Sequence, residues 1–188
     1  MIQPAFSEVI KVKDGIFYNL PLHQARMQRT TRHFYGKPIE LPPLHEMLPF
    51  DLRKGLVKCR ITYAGTVISC DFSPYSFKKM DSVAIIEDSL LDYSFKYTDR
   101  ERLNTHLAQS GCDEIIIVKN GFLTDASIAN LVFENETGLY TPDTFLLWGI
   151  KREYLLQKGI IKECPIKLDD IHRYNRLYLI NAMMDLED

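Results

Sequence analysis

At 188 residues, 46% apolar and 26% charged, the chain has the balance of an ordinary globular protein, long enough for one large domain or two small ones. A formal net charge of −2, with acids and bases interspersed, gives no electrostatic reason to expect nucleic acid or an anionic membrane surface as a partner. No apolar run approaches a membrane span, and the N-terminus lacks a basic segment leading into an apolar one, so neither a spanning helix nor a secretory leader is expected.

Taken in chain order, Phe6 to Val12 alternates as a strand, and Lys13-Asp-Gly15 turns it into a second at Ile16 to Asn19. Leu20 to about Tyr35 reads as a helix entered through Pro21, with a partly basic face at Leu22, Arg26 and Arg29. A second helix is predicted from Leu44 to Lys54. Leu56 to Ala64 and Val67 to Phe72 form an antiparallel hairpin around Ala64-Gly65. The polar stretch holding Pro74, Lys78, Lys79 and Asp81 marks the predicted boundary between a small N-terminal domain, 1–78, and a larger C-terminal one, 79–188.

Beyond it, Ser82 to Glu87 is strand-like, Asp99 to Ser110 helical, and Glu114 to Val118 a buried strand that turns at Asn120-Gly121. Asn130 to Phe133 and Leu139 to Thr141 flank another turn; Ile150 to Lys158 is a helix and Leu177 to Ala182 a last strand. Short strands in hairpins with a few helices predict an α+β fold rather than a βαβ repeat. No Gly-x-Gly-x-x-Gly or Walker-type loop occurs, which removes the main support for a dinucleotide or nucleoside triphosphate site. Cys59, Cys70, Cys112 and Cys164 are widely spaced and form no Cys-x-x-Cys, so reduced thiols in a cytoplasm are expected, not a disulfide frame or a metal site.

Three places could carry chemistry. Lys96 stands among Tyr93, Phe95 and Tyr97; lysines are common, but partial burial there lowers an amine's pKa and frees it as a nucleophile. Asp125, in Thr124-Asp-Ala-Ser-Ile128, is either a turn carboxylate or an acid that keeps a pyridine nitrogen protonated, and Asn130 most economically satisfies nearby backbone. Gly149-Ile-Lys-Arg152 opens a helix whose first N–H groups are unpaired and suited to a phosphate. Arg26 offers that phosphate a fixed charge, and His23 lies one helical turn before it. The histidines show no local nucleophile motif of the hydrolase kind.

The order of these pieces resembles the class IV aminotransferases, the fold type IV pyridoxal phosphate enzymes, which include branched-chain and D-amino acid aminotransferases and 4-amino-4-deoxychorismate lyases. The likeness runs through His23-Gln-Ala-Arg26-Met27, Lys96, Gly121 through Asn130, Thr141-Pro142, Leu147-Trp-Gly-Ile-Lys-Arg152 and Asn181-Ala-Met-Met184, nearly the whole chain. It implies two small domains of the D-amino acid aminotransferase-like kind, the N-terminal one reduced, assembled as a homodimer.

It also implies roles for single residues. Lys96 binds the cofactor and shuttles the α-proton; Asp125 pairs with the ring nitrogen; Arg26 and the backbone N–H groups of Ile128, Ala129, Ile150 and Lys151 hold the phosphate. Asn181 and Ala182 line the phosphate or substrate side, and Arg60 is a candidate for a substrate carboxylate. The departures are an aspartate where glutamate is usual, a shorter lysine-to-acid spacing, and missing strands ahead of Phe6. The Asn-Ala-Met ending favours lyase chemistry, giving 4-aminobenzoate and pyruvate for folate synthesis. The alternatives are transfer of an amino group between a small amino acid and a 2-oxo acid, and a non-catalytic member that binds a cofactor or partner.

Overall fold

The computed structural model describes residues 4–187. The chain divides into two compact units: residues up to Phe77 together with Phe95–Asp99 form the first, and Lys78–Ser94 with the chain from Arg100 onward the second.

The first unit is an antiparallel sheet under one long helix. β1 (Phe6–Lys13) turns through Asp14 and Gly15, both at positive φ, into the short β2 (Ile16–Phe17). α1 (Leu20–Tyr35) carries Pro21 in its first turn, where no N–H is missed, and stops at Gly36, whose left-handed φ of 73° lets its N–H close on Arg32. β3 (Leu56–Tyr63) and β4 (Val67–Pro74) follow, giving the order β2-β1-β3-β4. Period-two alternation sorts the side chains: Phe6, Ile10 and Val12 of β1 and Val57, Cys59, Ile61 and Tyr63 of β3 join Met27 of α1 in the core. Ser7, Val9 and Lys11, with Lys58, Arg60 and Thr62 across from them, fall on the opposite face.

The helix expected over 44–54 is broken. α2 (Leu44–Met47) is a single turn, and a 3₁₀ turn at Phe50–Leu52 follows it. Pro49 explains the break: it has no N–H for the ladder and drives Leu48 to an extended ψ of 115°.

The second unit is a seven-stranded sheet in the order β10-β9-β8-β7-β6-β5, with β11 paired to β8. β5 (Val83–Glu87) leads through α3 (Glu101–Ser110) to β6 (Glu114–Lys119). A turn at Asn120-Gly121, both at positive φ, enters β7 (Phe122–Ala126), followed by β8 (Asn130–Asn135) and β9 (Gly138–Pro142). α4 (Ile150–Gln157), β10 (Lys162–Cys164) and β11 (Arg176–Ile180) complete it. The mixed α/β content fits the expected class, but β5 pairs with β6, and β9 with β10, in parallel. Each pair is bridged by a helix, as a parallel connection requires, so the unit holds two crossovers that the hairpin reading did not anticipate. No helix among the described residues is long and apolar enough to cross a membrane.

Candidate functional site

In the first unit the chain returns at Phe95–Asp99 to the open edge of β1. Ser7 donates its N–H to the Lys96 carbonyl at 2.9 Å, and Thr98 donates to Ala5 at 2.9 Å, framing a bridge between Phe6 and Tyr97. The rings of Phe95 and Tyr97 pack against Phe6, at 6.2 and 5.2 Å, and against Phe34, at 4.9 and 6.2 Å. Both neighbours of Lys96 therefore point into the core, and Lys96 between them is half-buried. Aromatic packing fixes the backbone on either side of the amine.

On the core face lies a buried ionic cluster. Arg26 grips Glu8 bidentately, Nε to Oε1 at 2.9 Å and Nη2 to Oε2 at 2.5 Å. His23 Nδ1 is 2.6 Å from Oε2, and the Tyr63 hydroxyl stands 3.5 Å from Oε1. Burial alone would raise Glu8, but Arg26 and His23 overcome it and hold the carboxyl down at about 2. An ionised Glu8 requires the proton on Nδ1 of His23, while burial disfavours a second proton on the ring; its Nε2 has no hydrogen-bond partner among the described residues. Arg26, expected to hold a phosphate, thus already has a carboxylate partner, and Glu8 was missed. The signal for Glu8 was present: a charged residue in register with Phe6, Ile10 and Val12 on an apolar face needs a buried counter-ion.

The second unit assembles the other predicted residues. Asp125, 4% exposed, sits at the end of β7 opposite Asn130. Asn130 Nδ2 donates to its Oδ1 at 2.8 Å, and the N–H groups of Leu146 and Leu147 donate to Oδ2 at 3.0 and 2.8 Å. Burial nonetheless pushes this carboxyl up to about 6, against those donors and the field of Arg152. Asn130 also donates to the Leu147 carbonyl at 3.0 Å, joining Asp125 to the strand leading into α4. Gly149 begins that helix, and a Cβ there would fall 1.8 Å from Asn130 Oδ1. The glycine is dictated by contact, not by φ.

Ile128 and Ala129 form the turn between β7 and β8, closed by the Ala126 N–H on the Ala129 carbonyl at 2.8 Å. Asn181 Nδ2 donates to the Ile128 carbonyl at 3.1 Å while its Oδ1 accepts from Met183 and Met184, which fastens the chain around Ala182 to this turn. The Lys151 ammonium binds Asp185 at 2.7 Å, so its backbone N–H is what it offers at the helix start. Arg152 is fully buried, with its guanidinium 4.0 Å over the Phe145 ring and bonded to Pro142 and Glu163. Ser127 Oγ is buried without a hydrogen-bond partner among the described residues.

The family model of amino-transferase class IV matches residues 93–186, half of the chain. An uncharacterized protein of Haemophilus influenzae strain Rd is 40% identical over 183 residues, covering 95% of this chain and 97% of its own. The chain belongs to the class IV aminotransferase family. A proposed 4-amino-4-deoxychorismate lyase from Haemophilus somnus 129PT superposes with a TM-score of 0.85 at 35% identity, over 97% of this chain and 98% of that one. A proposed aminotransferase from Mycobacterium tuberculosis, in a pyridoxal phosphate-bound form, matches at a TM-score of 0.76 over 96% of this chain and 78% of that one; at 15% identity the likeness is one of fold. The architecture is that of fold type IV aminotransferase-like structures.

The residues of this class IV chain fit pyridoxal phosphate, the cofactor of its family. Asp125 is a carboxyl whose charge is penalised by burial, and a cationic ring N–H beside it relieves that penalty. The glycine-led first turn of α4 leaves N–H groups without helical acceptors, the donor set a phosphate takes. Lys96 supplies a half-buried amine on a fixed backbone.

Two predictions arise from this geometry. Gly149→Ala forces its methyl group into Asn130 and is expected to cost about 1–3 kcal/mol, as overpacking does, read as a lower urea midpoint. For Asp125 the sign follows from its raised pKa: the folded state binds the proton more tightly than the unfolded, so its contribution to stability is full below about 4 and is lost as pH rises through about 6. Asp125→Asn should therefore gain stability relative to wild type between pH 4 and 7, as measured by urea unfolding across that range.

Proposed function

We propose that this class IV chain is a pyridoxal phosphate-dependent lyase of the 4-amino-4-deoxychorismate type, releasing 4-aminobenzoate and pyruvate and so serving folate synthesis. The observation that carries the reading is the likeness, over nearly the whole of both chains, to the proposed lyase of Haemophilus somnus, together with the retention of Lys96 in a fixed setting.

When bound, the cofactor supplies an electron sink for negative charge developing on the substrate carbon. The chain's part is proton and charge management. Lys96 Nζ would hold the cofactor and would take up and return the proton of the carbon beside the substrate amine. Asp125 keeps a proton at the ring nitrogen. Backbone N–H groups of Ile128, Ala129, Ile150 and Lys151 fix the phosphate, and Arg26, shared with Glu8, adds positive charge. Asn181 holds the turn that carries Ile128, with Ala182 beside it. Arg60 takes a substrate carboxylate. We place the enzyme in the cytoplasm as a homodimer, in keeping with four cysteines that form no disulfide.

The test is incubation of cofactor-loaded protein with 4-amino-4-deoxychorismate. Equimolar 4-aminobenzoate and pyruvate are expected. Turnover of an amino acid with a 2-oxo acid, without 4-aminobenzoate, would assign an aminotransferase instead, and no turnover of either a non-catalytic member.

A further inference from the structure

A cavity of about 420 Å³ opens within the second unit, between the loop 91–94, the turn from β6 into β7 and the loop 144–146. Its volume is that of a small-molecule site, for which about 300–1,000 Å³ is usual. Its described lining includes neither Lys96 nor any of the proposed phosphate donors. Leu146 borders it and connects it to Asp125, through the backbone N–H that donates to Oδ2 at 3.0 Å.

The lining sets two opposite charges beside aromatic rings. Lys119, half-buried at the end of β6, donates from Nζ to the Leu91 carbonyl at 2.7 Å. That bond uses one of three ammonium protons, and no ion pair neutralises the charge among the described residues. Tying down a carbonyl needs only a neutral donor, so the half-buried charge is a cost that the loop alone does not explain. Asp92 turns back on its own loop, with Oδ1 accepting the Ser94 N–H at 3.0 Å. Hydrogen bonds from Ser94 hold its carboxyl below the usual carboxylate range, and the field of Lys119 adds to them, so Asp92 is ionised at neutral pH. The two charges feel one another without pairing. The exposed Asn120 side chain makes no hydrogen bond among the described residues, its backbone N–H having taken the Ser89 hydroxyl. Phe122 and Phe145 supply apolar walls, each steadied by a cation over its ring, Lys167 at 5.7 Å and Arg152 at 4.0 Å.

We propose that this cavity is a second small-molecule site, separate from the Lys96 amine, that binds a free α-amino acid with an aromatic side chain. The carboxylate meets Lys119 and the Asn120 amide, the ammonium meets Asp92, and the ring packs against Phe122 and Phe145. A simple anion gains from Lys119 but is repelled by Asp92, and a simple amine the reverse. Only a molecule carrying both charges gains from both. The site uses no residue assigned to the cofactor, so it stands whether or not the chain is a lyase.

The test is calorimetric binding of three probes to cofactor-loaded protein after borohydride reduction, which stops the probe amine from reacting with the cofactor. The probes are L-phenylalanine, 3-phenylpropionate, which lacks the ammonium, and 2-phenylethylamine, which lacks the carboxylate. Phenylalanine is expected to occupy one site per chain, and each partial probe to bind roughly tenfold more weakly, the scale of one charged hydrogen bond. Lys119→Gln should weaken phenylalanine roughly tenfold and leave phenylethylamine within about twofold; Asp92→Asn should weaken phenylalanine to a similar degree and leave phenylpropionate as it was. Asn120→Gly suits the positive φ of 52° at that turn and removes only the amide, so its expected loss of about threefold keeps the test decisive even where Lys119→Gln folds poorly. Cofactor-free Lys96→Ala protein should bind phenylalanine as wild type does. Equal binding of the three probes, no binding of phenylalanine, binding lost in Lys96→Ala, or binding unchanged in both Lys119→Gln and Asn120→Gly overturns the proposal.

Discussion

Glu8→Ala is expected to destabilise the first unit by about 3–5 kcal/mol, because it leaves the Arg26 guanidinium buried without its counter-ion. Glu8 is fully buried, and its two oxygens take two of the Arg26 nitrogens and the His23 ring. The loss should be read as a drop in urea midpoint. Glu8→Gln keeps the volume and separates charge from packing. The pH sign supports the same test. Glu8 is depressed from 4.5 to about 2, so its stabilisation is present above about 4.5 and is lost as pH falls towards 2. Wild type should lose stability steeply across that window, and Glu8→Gln should lose less. Asp125 runs the other way, so the two acids are separable by pH alone.

Lys96→Ala is expected to reduce turnover by about 10³-fold or more, the scale at which loss of a covalent anchor that also moves a proton is felt. The fold should survive. The segment is held to β1 by the Lys96 carbonyl and by the Phe95 and Tyr97 rings, none of which the substitution removes. An unchanged melting temperature with lost turnover identifies a chemical role; a variant that melts early and retains activity in its folded fraction identifies a structural one.

Much of this was legible in the sequence for identifiable reasons. Alternation at Phe6 to Val12 and the apolar run at Glu114 to Val118 each face a single environment, so period and length alone reveal the strands. α1 was bounded by Pro21 and Gly36, whose backbone preferences are local. What failed depended on distant partners. β7 contains Thr124 and Asp125, polar residues that look out of place in a strand until Ile117, Leu146 and Leu147 satisfy them. The return of Phe95–Asp99 to the edge of β1 is a pairing between segments about 90 residues apart, with no local signature. Among the site residues, Lys96 and Gly149 stand out by local setting, and the resemblance adds their shared role. The commitment of Arg26 to Glu8 and the collision that demands Gly149 emerge only when register is known.

The central claim is that Lys96 is the amine that carries the cofactor. The most direct measurement is the absorption spectrum of the purified protein with pyridoxal phosphate, followed by borohydride reduction and peptide mass mapping. A visible band whose reduced adduct maps to Lys96 alone is the predicted result; no band, or an adduct spread over several lysines, contradicts it.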